Sequence, residues 1–176
     1  MQHLPQKLTL IYTNRKGEAF MKCDANTFAQ MYEAVYKDLY RFALCIMRQT
    51  QDAEDAVSEA VILAYEHVHK LRNQEAFKSW IFTILSNVCK KKLMNRAGKD
   101  KPIEEYESAG QNDIGLPLEI KQAFFILSEE EQLIVALSVF GGYNSTEIGK
   151  IYGLNANTVR SKRKRALEKM GCVLNS

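Results

Sequence analysis

The sequence lacks most of what marks a membrane protein, a secreted scaffold or an enzyme. No apolar run approaches the ~18 residues of a membrane span, and the N-terminus has no long apolar core of the signal-peptide kind. There are four cysteines, Cys23, Cys45, Cys89 and Cys172, and none forms a C-x-x-C or other ligand spacing. A disulfide framework is therefore not expected, which points to a reducing, cytoplasmic compartment. Cys45 and Cys89 sit in apolar helical patterns and read as buried packing residues. His67 and His69 are two apart and share no helix face, and His3 is remote in sequence. No Ser/His/Asp arrangement, phosphate loop or metal spacing occurs, so neither an enzyme nor a cofactor or metal site is expected. The net charge of +3 is too small to imply a partner by itself.

The arrangement of charge says more than its sum. Cations cluster at Lys90–Lys101 and Arg160–Lys169, while Asp52–Glu66 and Ile103–Glu119 carry acids and no Lys or Arg. Two readings are open: distinct surfaces for distinct partners, or ordinary solvated helix faces. The length of 176 residues suits one domain or two small ones.

Residues 1–25 do not share the helical pattern of the rest of the chain and read as an extension. LTLIYTNRKGEAFM allows a hairpin around Asn14–Gly17, which in isolation is marginal in water. The alternative is that Met21 is the native start. Lys16-Gly17-Glu18-Ala19 can be encoded by bases containing GGAGG shortly before the Met21 codon, a translated ribosome-binding site; the extension is then non-native or disordered.

From Thr27 the pattern is helical. Phe28, Met31, Tyr32, Val35, Tyr36, Leu39, Tyr40, Ala43, Leu44 and Met47 follow the i, i+3, i+4 rule without a gap. A second helix is expected with Asp52 as its N-cap and the stripe Ala53, Ala56, Val57, Ala60, Val61, Ala64, Val68 and Leu71. After a polar break at Arg72–Ala76, a third begins near Phe77 with Trp80, Ile81, Ile84, Leu85 and Val88 on one face. Its second half turns cationic. Residues 97–117 have weak periodicity and an acidic centre, and read as a flexible linker. The fold class is therefore all-α: two small helical domains, 26–96 and 118–173, joined by that linker.

The second unit should hold about four helices. Ser128-Glu129-Glu130-Glu131 matches a capping box, Gly141-Gly142 ends a helix, and Asn144 with Glu147 starts a short one. Gly149, Gly153 and Val159, spaced by four and then six, form the skeleton of a helix-turn-helix. The small residue at 149 allows close approach, and Gly153 supplies a positive φ at the turn. Ile148, Ile151 and Leu154 complete a small core, and Asn155 caps the second helix. On that helix Val159, Ala166, Leu167 and Met170 should be buried. Asn157, Arg160, Ser161 and Lys164 fall on another face, where such a helix reads base edges in the major groove, and Thr158 lies in its first turn. Lys162, Arg163 and Arg165 suit the phosphate backbone. The bland alternative is a solvated C-terminal helix.

From about Asn26 to Gly171 the chain resembles the extracytoplasmic-function (ECF) sigma factors of bacterial RNA polymerase. Leu39-Tyr40-Arg41-Phe42-Ala43, Asp52-Ala53-Glu54-Asp55-Ala56-Val57-Ser58-Glu59-Ala60, and Phe77-Lys78-Ser79-Trp80-Ile81-Phe82 with Asn87 look like sigma region two. Leu127-Ser128-Glu129, Glu147-Ile148-Gly149, Gly153-Leu154 and Thr158-Val159-Arg160-Ser161 look like region four. Ser58, Leu63, Lys91 and Gly149 depart from the residues usual in the family.

The resemblance implies a transcription initiation factor that binds core RNA polymerase, recognises double-stranded promoter DNA and helps melt it. Asp52, Asp55, Ser58, Glu59, Ile62 and Leu63 would meet the polymerase, unless Ile62 and Leu63 pack inside region two. Asn73, Gln74, Lys78, Asn87, Lys90, Lys91, Lys92 and Arg96 would handle the −10 element and the melted non-template strand. Trp80 is either a stacking platform or a core residue. The −35 element would be read by Asn157, Thr158, Arg160, Ser161, Lys162, Arg163, Lys164 and Arg165. The linker acids Glu104, Glu105, Glu107 and Asp113 would mimic nucleic acid, and an anti-sigma factor is implied as a further partner. The rival is a stand-alone helix-turn-helix regulator that does not bind polymerase; it leaves the acidic helix and the Trp-containing basic helix unexplained.

Overall fold

Eight α-helices occur among the described residues of a computed structural model, which cover 11–13, 19–21, 23–71, 73–96 and 116–175. The apolar stripe expected as one helix is two: α1, Ala25–Glu33, and α2, Tyr36–Met47. Asp24 caps α1 by accepting from the Thr27 N–H at 2.8 Å. The chain turns at Ala34–Val35, where the Val35 N–H reaches the Tyr32 carbonyl at 3.0 Å. A turn this short preserves the phase, so Phe28, Val35, Leu39 and Phe42 are all buried. Periodicity alone does not register such a kink.

Helix α3, Thr50–His67, starts earlier than expected; Gln49 occupies the cap position and Asp52 lies in the first turn. There its charge still favours the helix dipole. Arg48, at φ 63°, reverses the chain between α2 and α3. The buried stripe of α3 is Ala53, Ala56, Val57, Ala60 and Ala64. Its small side chains let α2 and α4, Phe77–Arg96, pack closely on either side. Phe42 and Phe82 meet edge-to-face at 5.8 Å in this core. A 3₁₀ turn at Gln74–Ala76 leads into α4, capped by the Asn73 side chain on the Ala76 N–H at 2.8 Å.

Four helices make up the second unit: α5, Leu118–Phe125; α6, Glu129–Val139; α7, Ser145–Tyr152; and α8, Ala156–Leu174. The capping box at Ser128 and Glu131 forms as expected. Buried Gln132 donates to the carbonyls of Phe124 and Leu127, at 3.3 and 3.0 Å, and so satisfies the open end of α5. The linker acids Glu104, Glu105, Glu107 and Asp113 lie outside the described residues.

The N-terminal segment contributes one short ribbon, β1, Ile11–Thr13, antiparallel to β2, Ala19–Met21, with Tyr12 opposite Phe20. The hairpin reading of the sequence holds there, and the all-α architecture holds for the two units. β2 lies against the 3₁₀ turn Val68–Lys70 at the end of α3.

The two units are in contact. α6 packs on α2 and α4, and the Arg48 guanidinium lies 4.8 Å above the Phe125 ring. Cys45 of α2 faces Ile120, Phe124, Phe140 and Met170 across a small apolar cavity of about 90 Å³. Burial pushes the Cys45 thiol up to about 12, with Lys121 partly offsetting it. None of the four cysteines is in a disulfide, and Cys45 and Cys89 are buried as expected. No described helix is long and apolar enough to cross a membrane.

Candidate nucleic-acid interface

The helix-turn-helix is built from local hydrogen bonds. The Asn144 side chain accepts from the Thr146 and Glu147 N–H groups at 2.9 and 3.0 Å, and Glu147 accepts from the Asn144 N–H at 2.8 Å. This capping box starts α7. Gly153, at φ 68°, ends it. The N–H groups of Gly153 and Leu154 both turn back to the Gly149 carbonyl. A Cβ on Gly149 would come within 2.5 Å of the Leu154 carbonyl oxygen. The close approach that this glycine permits is thus to the turn itself. Asn155 then caps α8 by accepting from the Asn157 N–H at 2.8 Å.

Val159 and Ala166 of α8 are fully buried, together with Ile148 of α7. Leu167 corrects the expectation: it is 50% exposed. It sits about 100° around the helix from Ala166, beyond the edge of the buried stripe. Met170 is half-buried.

Asn157, Thr158, Arg160, Ser161, Lys164 and Arg165 are exposed on the outer side of α8. Arg160 donates to the Asn157 Oδ1 at 2.7 Å, linking two side chains on the exposed side of α8. Lys164 lies 3.8 Å from Glu168. Lys162 and Arg163 are held differently: Lys162 donates to Glu130 at 2.5 Å, and Arg163 to the Ser138 hydroxyl at 3.0 Å. Both fasten α8 to α6 and must swing outward to reach a phosphate. Lys169 donates twice to Glu131, at 2.8 and 2.9 Å. That hydrogen bond holds the Glu131 carboxyl below its usual range, against the opposing effect of burial, with Ser128 helping.

An open notch of about 600 Å³ lies between the start of α7 and α8, lined by Asn144, Ser145, Thr146, Lys150, Arg160 and Arg163 among others. Thr146 and Lys150, one turn apart on α7, were missed by sequence reasoning, which looked for cations only on the second helix. The first helix of such a motif crosses the DNA backbone, and that rule would have found them.

In the first unit, Asp55, Ser58 and Ile62 are exposed on α3, with Ile62 at 60%. Asp52 and Glu59 are half-buried, and Leu63 packs against the core, so the apolar pair is divided between surface and interior. On and before α4, Gln74, Asn87 and Lys91 are exposed. Asn73 is exposed too, although its side-chain oxygen serves as a cap. Lys78 donates to Asp38 at 3.0 Å and lies 5.9 Å above the Phe82 ring. Arg41 joins this cluster, 3.9 Å from Asp38. Lys92 pairs with Glu59 at 3.5 Å, and Lys90 sits 5.1 Å above the Tyr152 ring. Arg96 belongs to α4, but its side chain is outside the described residues. Trp80 is half-buried, 6.2 Å from Phe77, and is neither a fully buried core residue nor an open stacking platform. The geometry brings Asn87, Lys90 and Lys91 together on the second half of α4. It keeps Asn73, Gln74 and Lys78 at the entry to that helix.

A bundle with an acidic outer helix, joined to a capped helix-turn-helix with a cationic recognition helix, defines a DNA-binding protein of the helix-turn-helix class. The sequence profile of Sigma-70 region 2 matches residues 31–98, and that of Sigma-70, region 4 matches residues 123–170. RNA polymerase sigma factor SigV of Bacillus subtilis is 32% identical over 138 residues, covering 76% of this chain and 82% of its own. The ECF RNA polymerase sigma-E factor of Escherichia coli is 29% identical over 136 residues, covering 66% and 71%. The fold is also that of the sigma factor RpoE from Bartonella quintana, solved with the anti-sigma factor NepR. The TM-score is 0.72 at 23% identity, over 86% of this chain and 98% of that one. The chain belongs to the ECF group of the Sigma-70 family of RNA polymerase sigma factors.

Proposed function

We propose that this chain directs core RNA polymerase to specific promoters, using α3 for the polymerase, α4 and the turn before it for the −10 element, and α8 for the −35 element. The observation that carries the reading is the pair of family regions, in order, on one chain whose assigned residues mostly lie on exposed helix faces. The functional domains are then 26–96 and 118–173.

Each surface suits its task physically. Ile62, exposed on the same face of α3 as Asp55, Ser58 and Glu59, offers an apolar anchor beside polar groups, the usual anatomy of a protein interface. Asn87 and Gln74 supply polar contacts that offset the cost of unstacking a base, a few kcal/mol. Lys90, Lys91 and Lys92 add phosphate attraction. Arg160 and Asn157 reach base edges, favouring guanine and adenine respectively. Lys164, Arg165, Lys150 and Thr146 hold the backbone on either side.

Nothing in this set performs bond chemistry, so the role is that of a factor and not an enzyme. Four cysteines outside any disulfide support a cytoplasmic setting. The similar sigma factor from Bartonella quintana was solved with an anti-sigma factor, and an inhibitor of that class is the proposed further partner here.

The test is run-off transcription with purified core polymerase on genomic fragments. Discrete transcripts that require this chain are expected. Their absence, together with no association with core enzyme at low salt, would refute the reading and favour a stand-alone regulator.

A further inference from the structure

Thr158, Lys162, Arg165 and Lys169 are spaced by four, three and four, so they form a stripe along one edge of α8. Thr158 and Arg165 are exposed there, whereas both lysines are engaged by acids at the start of α6. Lys162 donates to Glu130 at 2.5 Å. Lys169 donates to Glu131, whose carboxylate also completes the capping box with Ser128. Glu130 differs from Glu131 in that the cap does not need it, and its side chain is 47% exposed. The notch with Lys150 and Arg160 marks the other edge of α8. A helix lying in a major groove about 12 Å wide has a sugar-phosphate backbone on each side. The Thr158–Lys169 edge is the flank that meets one of those two backbones.

We propose that Glu130 competes with a DNA backbone phosphate for Lys162, and so sets the strength of the sequence-independent grip of region four. The inference rests on the reading of α8 as the −35 helix. Carboxylate and phosphate oxygens accept the same charge-assisted hydrogen bond from an ammonium group. Paired with Glu130, Lys162 is drawn toward α6, and reaching a phosphate takes its ammonium away from that carboxylate. Binding through Lys162 therefore exchanges one ion pair for another, and the gain is only what the phosphate adds over the carboxylate. A weaker general grip leaves more of the chain off the many non-promoter sites of a genome. An acid in the first turn also suits the dipole of α6, but that role gives no effect on DNA affinity and no dependence on Lys162.

The full chain is titrated into a fluorescently labelled, random-sequence duplex at low salt, where phosphate contacts are strongest, and binding is read by anisotropy. Glu130→Gln should tighten binding by about twofold to fivefold, the scale of an exposed ion pair. In a Lys162→Gln background the same substitution should change nothing, because the group on which Glu130 acts is gone. Thermal melting checks that each variant is folded. Lys164→Gln and Arg165→Gln, at exposed cations of α8, should each weaken binding. If those two weaken binding but Glu130→Gln fails to tighten it, or tightens it equally without Lys162, the competition is refuted and the −35 reading of α8 stands. If neither Lys164→Gln nor Arg165→Gln weakens binding, the proposal falls together with the reading of α8.

Discussion

Replacing Glu131 by Gln should weaken the second unit by a predictable amount and in a pH-dependent way. The Glu131 side chain is only 11% exposed. Its carboxylate accepts twice from Lys169, at 2.8 and 2.9 Å, and from the Ser128 N–H at 3.0 Å. Gln keeps an oxygen for Ser128, so the cap survives and the lost component is the charge pairing to Lys169. Hydrogen bonds to charged groups contribute roughly 1.5–3 kcal/mol. Lys169 is 50% exposed, and solvent screening lowers the expected loss to about 1–1.5 kcal/mol. The sign with pH comes from the depressed folded-state carboxyl. The contribution is complete above the unfolded carboxylate range, near about 4.3, and is lost as pH falls through the lower folded value. Urea unfolding followed by circular dichroism at pH 7 and pH 3 tests this. Glu131→Gln should unfold at lower urea at pH 7, and the gap should shrink at pH 3. An unchanged midpoint at pH 7, or a gap that persists undiminished at pH 3, would refute the reasoning.

Other outcomes rest on named contacts. Gly149→Ala gains about 1 kcal/mol of helix propensity but crowds a backbone carbonyl at 2.5 Å; overpacking costs about 1–3 kcal/mol, so thermal melting should fall, and a rise would contradict the geometry. Ile62→Ala should leave stability within about 0.5 kcal/mol, since the side chain is mostly exposed. It should nonetheless weaken pull-down by core polymerase; full retention would remove Ile62 from the interface. Arg160→Ala should cost about 1–3 kcal/mol at particular −35 positions, while Lys91→Ala should weaken promoters broadly and lower the salt slope by about one. Equal effects of both at every promoter would reject that division.

Much of this architecture is legible in the residues themselves. The capping boxes at Ser128 and Asn144, the left-handed Gly153 and the buried Val159 arise from local chemistry that acts over four or five residues. The kink at Ala34–Val35 escaped because a tight turn leaves the apolar phase intact. Leu167 was misjudged, and the choice left open for Leu63 needed the structure, for a related cause. Both lie at the edge of a stripe, where burial depends on which neighbouring helix arrives and not on spacing.

Sequence alone determined the two helical units, the helix-turn-helix and the helical segments on which the charges sit, because periodicity, caps and glycine conformations are properties of short segments. Only the tertiary structure decided which cations are free and which are tied, as Lys162 to Glu130, Lys78 to Asp38 and Lys92 to Glu59. It alone brought Tyr143 onto α4, sixty residues away from Thr83. Such pairings depend on how separate helices pack, and residue spacing along one helix carries no record of that.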